Sequence, residues 1–420
     1  MSGINQAERK LRKDLLKDFY RHLNETDDEQ AEDTLEAYAL INDAVAARAT
    51  DIHLDPFDDQ YRIRLRIDGV IRDAVDLAPG QGLRLGNQFK ALARLDPIPA
   101  VSSAEGSFVY LLDDEELDLR VTAVPCIGGD KLAIRLLKQT DGMTDIKRLG
   151  ISDEGLGWIR RWMDATGGMF LVAGPTGSGK TTTLYSLLHE LKMNDSHVIT
   201  LEDPVEYAIP GINQIQVNER YGLNFENGTL AMLRLDPDYV LIGEVRDRPS
   251  AKAAVSVATS GRALMGTLHS RDAVGTIAAL RNLGLDNFEI ATNLTLVAAQ
   301  RLVARLCPEC RTQRAPDSIE TQWLEKCGRE VPEKTWAPVG CPSCAGLGFK
   351  GRIGIFEIWQ PNQADYEMIL RHENEHAMRQ ALQNRDVPLM LDDGLDKAAQ
   401  GLTTLRELLR SGTMLPAEND

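Results

Sequence analysis

Residues 174–181 read GPTGSGKT and match the phosphate-binding Walker A pattern GxxxxGK[ST]. An apolar run precedes them and a helix-like stretch follows, which is the context that the pattern requires. The glycines let backbone N–H groups turn toward phosphate oxygens, and the following helix adds the positive end of its dipole. We expect Lys180 to neutralise β- and γ-phosphate charge and Thr181 to ligate Mg²⁺. The predicted binding residues are Gly174, Pro175, Thr176, Gly177, Ser178, Gly179, Lys180, Thr181 and Thr182.

Acidic residues follow two other apolar runs. Residues 239–244 (YVLIGE) resemble a Walker B strand that ends in an acid, although Gly243 stands where the usual Asp would be. Glu244 could hold Mg²⁺ through water or polarise an attacking water molecule. Residues 201–206 (LEDPVE) offer three more carboxylates after another candidate strand, at the edge where ligands bind in α/β sheets. Helix capping is the alternative interpretation of Asp203.

Four of the six cysteines form two CxxC pairs that are separated by 30 residues. Four thiolates suit a tetrahedral Zn²⁺ ion, and because no ligand position stays open we expect a structural metal site. The predicted zinc ligands are Cys307, Cys310, Cys341 and Cys344. Unmetallated buried cysteines are the alternative. Cys126 and Cys327 are interpreted as ordinary thiols.

Short buried strands must position these groups. Apolar runs predict strands at 169–173, 197–201, 239–242 and 263–267, which alternate with helical stretches from Ile151 onward. This alternation is typical of an α/β domain with a largely parallel sheet. Residues 34–138 show a mixed α+β pattern, with helices predicted at 34–48 and 83–95 and strands at 61–68, 117–124 and 131–137. A helical tail is predicted from about Ala364 to Arg410.

The whole-chain composition describes an ordinary globular protein. The chain has 420 residues, is 43% hydrophobic and carries a formal net charge of −16, which argues against a nucleic-acid-binding protein. The sequence shows no signal peptide and no membrane-spanning run, so we expect a cytoplasmic protein. Residues 5–23 predict an amphipathic helix, and the acidic run 25–36 that follows is interpreted as a solvated linker.

Several segments together resemble the secretion ATPases of the GspE/PilB type, which drive type II secretion and type IV pilus assembly. The resemblance covers residues 34–410, nearly the whole chain. The matching segments are TDIHLDP at 50–56, RLRIDG at 64–69, LDLRVTAVP at 117–125, HVITLEDPVEY at 197–207, LRLDPDYVLIGEVRD at 233–247 and GTLHS at 266–270. The tetracysteine pattern is similar to that of assembly and export members, since retraction members generally lack it.

The resemblance implies an α/β chain with a RecA-like P-loop ATPase domain, a smaller α+β (PAS-like) N-terminal domain and a zinc-binding tetracysteine insertion. The predicted divisions are an N-terminal helix and acidic linker at 1–33, the small domain at 34–140, a linker at 141–150, the ATPase domain at 151–306, the tetracysteine module at 307–350 and a C-terminal helical subdomain at 351–420.

The resemblance also implies roles for individual residues. Glu206 would position the attacking water together with Glu244, and His269 would contact the γ-phosphate. Glu202 and Asp203 would support the metal and phosphates. Cations from the small domain would complete the site; the candidates are Arg64, Arg66, Arg120 and Arg135, with Arg120 and Arg135 preferred as catalytic residues. A plain solvated face is the alternative for arginines that alternate along a strand.

Two positions depart from the family pattern. The pair Gly261-Arg262 stands where a Gly-His pair is usual, and Ser107 stands where an arginine is expected. We expect Arg262 to contact nucleotide in place of the imidazole. Both departures bear on the rate and the regulation of the expected hydrolysis.

The family's activity implies a cytoplasmic hexamer that hydrolyses ATP with Mg²⁺, carries structural Zn²⁺ and powers pilin or pseudopilin assembly. The implied partners are an inner-membrane platform protein and a cytoplasmic adaptor, with membrane contact only through partners and no direct nucleic-acid contact. The alternatives are a nucleic-acid translocase and a nucleotide-gated scaffold with little turnover. Helix 5–23 would either dock on a partner or pack on its own ring.

Overall fold

The computed structural model describes residues 16–25, 36–98, 102–113, 115–138, 145–165, 167–193 and 196–412. The chain divides into two compact units. The small unit comprises residues 1–141, 306–312 and 338–351, and the large unit comprises 142–305, 313–337 and 352–420. The predicted tetracysteine module at 307–350 is thus divided between the units, because its two ends belong to the small unit and its middle to the large one.

The small unit is built on a six-stranded antiparallel sheet in the order β3-β2-β1-β6-β5-β4. Its elements are α1 (Lys17–Glu25), α2 (Glu36–Ala46), β1 (Ala49–Pro56), β2 (Tyr61–Ile67), β3 (Val70–Leu77), α3 (Pro79–Leu92), β4 (Ala104–Leu112), β5 (Glu115–Cys126) and β6 (Gly129–Lys138). The predicted α+β character is confirmed, and a turn at Asp68-Gly69 joins β2 to β3. The narrower PAS-like assignment stays a prediction.

One face of this sheet carries the core of the small unit. Along β2 (YRIRLRI) buried and half-buried residues alternate strictly, so Ile63 and Leu65 point into the core while the arginines between them lie on the other face. Helices α1, α2 and α3 contribute to the same core.

The described part of the predicted N-terminal helix belongs to this small unit. Phe19 of α1 is fully buried in the core of the small unit, and its backbone N–H donates to the Asp43 carboxylate of α2 over 2.8 Å. This packing favours the interpretation that the helix packs on its own chain. The remainder of the predicted helix, residues 5–15, lies outside the described residues.

The large unit is built on a seven-stranded sheet in the order β15-β12-β7-β11-β10-β8-β9. Its first elements are α4 (Asp153–Asp164), β7 (Gly168–Ala173), α5 (Lys180–Met193), β8 (Val198–Glu202), β9 (Asn213–Gln216), α6 (Phe225–Met232), β10 (Tyr239–Ile242), α7 (Arg248–Thr259) and β11 (Ala263–Leu268). The remaining elements are α8 (Gly275–Asn282), α9 (Asn287–Asn293), β12 (Leu294–Leu306), β13 (Thr312–Arg314), α10 (Ser318–Lys326), β14 (Thr335–Ala337), β15 (Phe349–Trp359), α11 (Gln363–Leu370), α12 (Glu375–Gln383), α13 (Met390–Ala399) and α14 (Leu405–Arg410).

Both faces of this sheet are covered. Met169 and Leu171 of β7 enter one core cluster, whereas Phe170 between them enters another, where it packs against Trp162 of α4. A strand that is buried on both faces requires a continuous apolar run, which is what the sequence shows for β7, β8, β10 and β11. The predicted α/β domain with a largely parallel sheet is confirmed, because the neighbours in the row β12-β7-β11-β10-β8-β9 all pair in parallel.

The C-terminal part differs in detail from the prediction. The single helical tail predicted from Ala364 to Arg410 is four separate helices, α11 to α14, which turns of a few residues separate. Strands β9, β12 and β15 were not predicted from the sequence. Among the described residues no helix is long and apolar enough to cross a membrane.

A buried carboxylate ties the C-terminal helices to the loop after β11. Glu357 of β15 accepts hydrogen bonds from the backbone N–H of Ala273 (2.9 Å) and of Met390, the first residue of α13 (3.1 Å). Burial, together with the nearby Asp272, raises the pKa of Glu357 to about 7. Ionisation of Glu357 therefore opposes folding.

We expect Glu357→Gln to flatten the pH dependence of stability. A raised pKa stabilises the fold below the ordinary carboxyl pKa of 4.5, and this contribution is lost as the pH rises through about 7. Between pH 5 and 8 the wild-type free energy of unfolding should fall relative to that of the variant by up to about 3 kcal/mol. Denaturant unfolding at several pH values measures this difference. The exposed Glu330→Gln is the control, and parallel curves for wild type and Glu357→Gln would contradict the expectation.

Candidate nucleotide site and tetracysteine centre

Parallel pairing brings the predicted site segments to one edge of the large sheet. Ala173, the last residue of β7, pairs with Leu268 at the end of β11 and with Ala299 of β12. On the other side of β11, Ile242 at the end of β10 pairs with Gly266. The phosphate-binding loop, Glu244 and His269 therefore leave the sheet at the same edge, where ligands bind in sheets of this kind.

The phosphate-binding loop is fastened to the strand beside it. The backbone N–H of Gly174 donates to the carbonyl oxygen of Leu268 over 3.2 Å. The ammonium group of Lys180 donates to the carbonyl oxygens of Gly174 (2.8 Å) and Pro175 (3.2 Å). Burial lowers the pKa of Lys180, although the nearby Glu244 carboxylate opposes the shift. Thr181 and Thr182, at the start of α5, keep part of their surface open to solvent.

His269 joins the phosphate-binding loop to the Walker B acid. Its Nε2 atom lies 2.7 Å from a Glu244 carboxylate oxygen, and its Nδ1 atom lies 3.2 Å from the carbonyl oxygen of Gly174. Both neighbours are hydrogen-bond acceptors. The two contacts together therefore require a proton on each ring nitrogen or one on the carboxylate.

Gly243 occupies the position where a Walker B strand usually carries its acid, one residue before Glu244. A Cβ atom at this position would lie 3.2 Å from the Cα atom of Glu202, which is closer than nearly all real contacts of this kind. The Gly243 carbonyl oxygen accepts a hydrogen bond from the Thr267 hydroxyl over 2.7 Å. A side chain here would require Glu202 to shift by a few tenths of an ångström, and the adjacent Glu244 carries the carboxylate.

Glu202 is held by hydrogen bonds inside the protein. Its side chain is buried, and its carboxylate accepts hydrogen bonds from Thr200 (2.6 Å), from Gln214 (3.3 Å) and from the Tyr185 hydroxyl. Burial raises the pKa of Glu202. These contacts support the interior of the sheet edge, and the predicted support of metal and phosphates by Glu202 stays a prediction.

The same network reaches Glu206. The backbone N–H of Glu206 donates to the Tyr185 hydroxyl over 3.3 Å, so Tyr185 links α5 to the segment that follows β8. Asp203 forms an ion pair with Arg246 over 3.0 Å at a partly exposed position, and it caps no helix. Sequence reasoning missed Tyr185, since a lone tyrosine in an apolar helix gives no sign of its hydroxyl's partners.

The structure places Arg262 away from the phosphate-binding loop of its own chain, and its predicted contact with nucleotide stays a prediction. Arg262 immediately precedes β11, whose first residue pairs with Gly168 at the start of β7, whereas the loop follows the end of β7. The six-residue strand separates the two edges by about 20 Å. Arg262 instead forms an ion pair with Asp236 over 3.0 Å.

The small-domain arginines lie on the face of their sheet that is away from its core. Arg120 of β5 and Arg135 of β6 are directly opposite in register. Arg135 and Arg66 each lie 3.5 Å from the Asp51 carboxylate, and Arg64 pairs with Asp55 over 2.5 Å. Ser107 is level with Arg120 on the neighbouring strand β4. Their predicted contact with nucleotide stays a prediction.

The four predicted zinc ligands form one cluster. Their sulfur atoms all lie within 4.8 Å of one another, and no other group of three or more possible ligands is found in the described parts of the chain. The Sγ–Sγ distance is 3.8 Å for Cys307–Cys341, for Cys310–Cys344 and for Cys341–Cys344. Tetrahedral Zn–S bonds of about 2.3 Å place sulfurs about 3.8 Å apart, so the donor set fits zinc. Disulfide bonds would need about 2.05 Å.

Backbone N–H groups favour the thiolate of Cys344, whereas the pKa of Cys310 is raised to about 11 by burial and by its neighbouring thiols. Burial would raise the pKa of Cys344, but hydrogen bonds from the N–H groups of Cys341 (3.2 Å) and Gly348 (3.1 Å) bring it down to about 7. The cluster is fixed to the small unit, where Leu347 packs against the core and the N–H of Gly351 donates to Asp68 over 3.1 Å. The remaining cysteines, Cys126 and Cys327, take no part in it.

We expect native protein to contain about one zinc ion per chain, since four thiolates hold one tetrahedral ion. Cys344→Ser should reduce the zinc content well below one and lower the melting temperature, because metal binding contributes to folding. Elemental analysis and thermal melting measure both effects. The exposed Cys126→Ser is the control and should retain full zinc. Native protein with less than stoichiometric zinc and four free thiols would contradict the assignment.

The sequence is similar to known secretion and pilus proteins over most of its length. A family model described as "Type II/IV secretion system protein" matches residues 24–410. The type II secretion system ATPase E of Vibrio cholerae is 37% identical over 374 residues, which cover 89% of this chain and 74% of that protein. The type IV pilus assembly ATPase PilB of Myxococcus xanthus is 35% identical over 378 residues, which cover 88% of this chain and 66% of that protein.

Solved structures agree on the fold. The pilus retraction motor PilT with bound ADP aligns with a TM-score of 0.59 at 23% identity and covers 88% of this chain and 95% of that one. The Legionella pneumophila ATPase DotB aligns with a TM-score of 0.64 at 19% identity and covers 92% of this chain and 98% of that one. The predicted family membership is therefore confirmed: the chain is a P-loop ATPase and belongs to the type II/IV secretion system protein family.

Proposed function

We propose that this chain forms a hexameric cytoplasmic motor that hydrolyses ATP to power pseudopilin or pilin assembly in a type II secretion system or a type IV pilus. An inner-membrane platform protein would receive the work, and a cytoplasmic adaptor would recruit the motor. The relatives' names and the 37% identity to a type II secretion system ATPase support this proposal. Membrane contact would come only through these partners.

The observation that carries the proposed hydrolysis is the bridge that His269 makes between Gly174 and Glu244. It joins the group that would bind phosphate to the acid that would act on water. A γ-phosphate at the loop offers the imidazole a new anionic partner, which would release Glu244 from its contact with the ring. Glu244 would then be free to act, so binding and hydrolysis would be coupled through one side chain.

The reaction would be a displacement at phosphorus. A water oxygen forms a bond to the γ-phosphorus atom while its proton passes to Glu244 or to bulk water. The bond to the bridging oxygen breaks, so ADP leaves with that electron pair. We assign Glu206 and Glu244 to orienting this water, and Lys180 together with the loop N–H groups to stabilising charge on the phosphates. Glu202 supports this arrangement through Tyr185 rather than by contact with the reactants.

Mg²⁺ fits the residues at this edge. It is usually bound by one or two protein oxygens together with phosphates and water, and the Thr181 hydroxyl and the Glu244 carboxylate offer such oxygens. The ion would neutralise charge on the β- and γ-phosphates when bound. Arg120 and Arg135 are proposed to add positive charge from the small domain.

We expect Glu244→Gln to lower ATP turnover at least about 100-fold, because the amide keeps the shape but cannot polarise water as a carboxylate does. ATP affinity should change little. Phosphate release and titration with a fluorescent nucleotide separate the two effects, and Glu330→Gln is the matched surface control. Wild-type turnover in Glu244→Gln would remove this residue from the mechanism.

The same variant tests the ring. Since Glu244→Gln should bind ATP without consuming it, light scattering after size exclusion should give six times the mass of the chain in ATP. A chain that binds ATP but keeps the mass of a monomer would favour the scaffold alternative, and the next experiment would then add the platform protein.

We expect His269→Ala to reduce turnover about tenfold or more, because the loop and the Walker B acid lose their connection. The loss should be larger in kcat than in ATP affinity, although the imidazole's contacts with Gly174 and the γ-phosphate should also make a smaller contribution to affinity. The exposed His376→Ala is the control. An unchanged kcat in His269→Ala would show that the bridge has no catalytic role.

A further inference from the structure

Gln300 lies where β12 passes beside the phosphate-binding loop. The strand register pairs Ala299 with Ala173, so Gln300 is level with Gly174, the first residue of the loop. The side chain is only 2% exposed. Its amide nitrogen donates to the carbonyl oxygen of Ser178 over 2.6 Å, and its amide oxygen accepts from the Thr183 hydroxyl over 2.8 Å.

The chemistry of the partners fixes the orientation of this amide. A carbonyl oxygen only accepts hydrogen bonds, so the NH₂ group must face Ser178 and the oxygen must face Thr183. Thr183 belongs to the first turns of α5, and its backbone N–H donates to the carbonyl oxygen of Gly179 over 3.0 Å. Gln300 therefore connects the end of the loop to the helix that follows it.

The bridge sets the direction of one backbone N–H group. The carbonyl of Ser178 and the N–H of Gly179 belong to the same planar trans peptide unit, and they point in opposite directions. Because Gln300 holds the Ser178 carbonyl toward the interior, the Gly179 N–H points away from Gln300 and from β12. That is the side on which a loop of this type binds phosphate oxygens.

Glycine makes this restraint necessary. Gly179 has a φ of +89°, which side-chain-bearing residues rarely adopt, and a Cβ atom there would lie 2.9 Å from the Gln300 amide nitrogen. A peptide unit beside such a residue rotates easily when nothing holds it. Leaving a buried carbonyl unpaired costs more free energy than its hydrogen bond contributes when it is formed.

We propose that Gln300 is a positioning residue for nucleotide binding, which holds the Ser178–Gly179 peptide so that the Gly179 N–H faces the phosphates. The inference rests on the proposed phosphate binding by the loop but not on ring formation or on the cargo. Gln300 itself need not touch the nucleotide.

Gln300→Glu tests the proposal through pH. At pH 8 a carboxylate cannot donate to the Ser178 carbonyl, so the affinity for a fluorescent ATP analogue should fall about tenfold. On acidification the carboxyl group takes up a proton and can donate again, so affinity should recover relative to wild type at the same pH. Gln300→Leu should show the same loss without recovery, and kcat at saturating ATP should change little in either variant.

Matched variants keep the test independent of stability. Gln363→Glu adds the same charge at an exposed helix start and should bind as wild type. Thr183→Ser keeps the hydroxyl group that anchors Gln300, whereas Thr183→Val removes it and should weaken binding by a few-fold. If the Gln300 variants do not fold, by circular dichroism and thermal melting, the comparison of the two Thr183 variants decides.

Three results would overturn the proposal. They are wild-type affinity in folded Gln300→Glu and Gln300→Leu, equal losses in these two variants at every pH, and equal affinity in Thr183→Ser and Thr183→Val. A wild-type chain that binds no nucleotide would overturn the proposed function as well. Normal wild-type binding with unaffected variants would overturn this inference alone.

Discussion

The parallel direction of the strands in the large sheet is the constraint on which the site depends. Parallel neighbours end at the same edge, so residues that are far apart in the chain leave the sheet side by side. Gly174, Glu244 and His269 come together in this way, and the imidazole of His269 contacts both of the others. No single segment could supply a phosphate-binding loop, an acid and a ring that links them.

The features that could be predicted from the sequence are those whose chemical requirement is met by adjacent or regularly spaced residues. The strands at β7, β8, β10 and β11 were predictable, because burial on both faces demands an unbroken apolar run. The four cysteines were predictable as a group, because zinc needs four thiolates and two CxxC pairs supply them. The phosphate-binding loop was predictable because its glycines and its lysine are adjacent in the chain.

Side-chain direction set the limit of this prediction. Glu202 stands in the segment expected to carry catalytic carboxylates, yet its side chain turns toward Thr200 and Tyr185, which no spacing rule reveals. Arg262 was assigned by its place in a motif, although its position before a parallel strand puts it at the far edge. Gln300 was missed because β12 was not predicted. The signal that could have identified Gln300 is a polar residue inside the otherwise apolar run that forms β12.

The division of the chain into six alternating segments has a consequence for how the protein can be taken apart. The backbone passes between the two units five times, at 141–142, 305–306, 312–313, 337–338 and 351–352. A protein whose domains are joined by one linker can be separated by a single cut, but here no truncation yields either unit with its full set of segments. The cysteine cluster also brings together the two ends of the segment 313–337. Two of its cysteines precede that segment and the other two follow it. Neither proteolysis nor a shortened gene can therefore yield one unit free of the other.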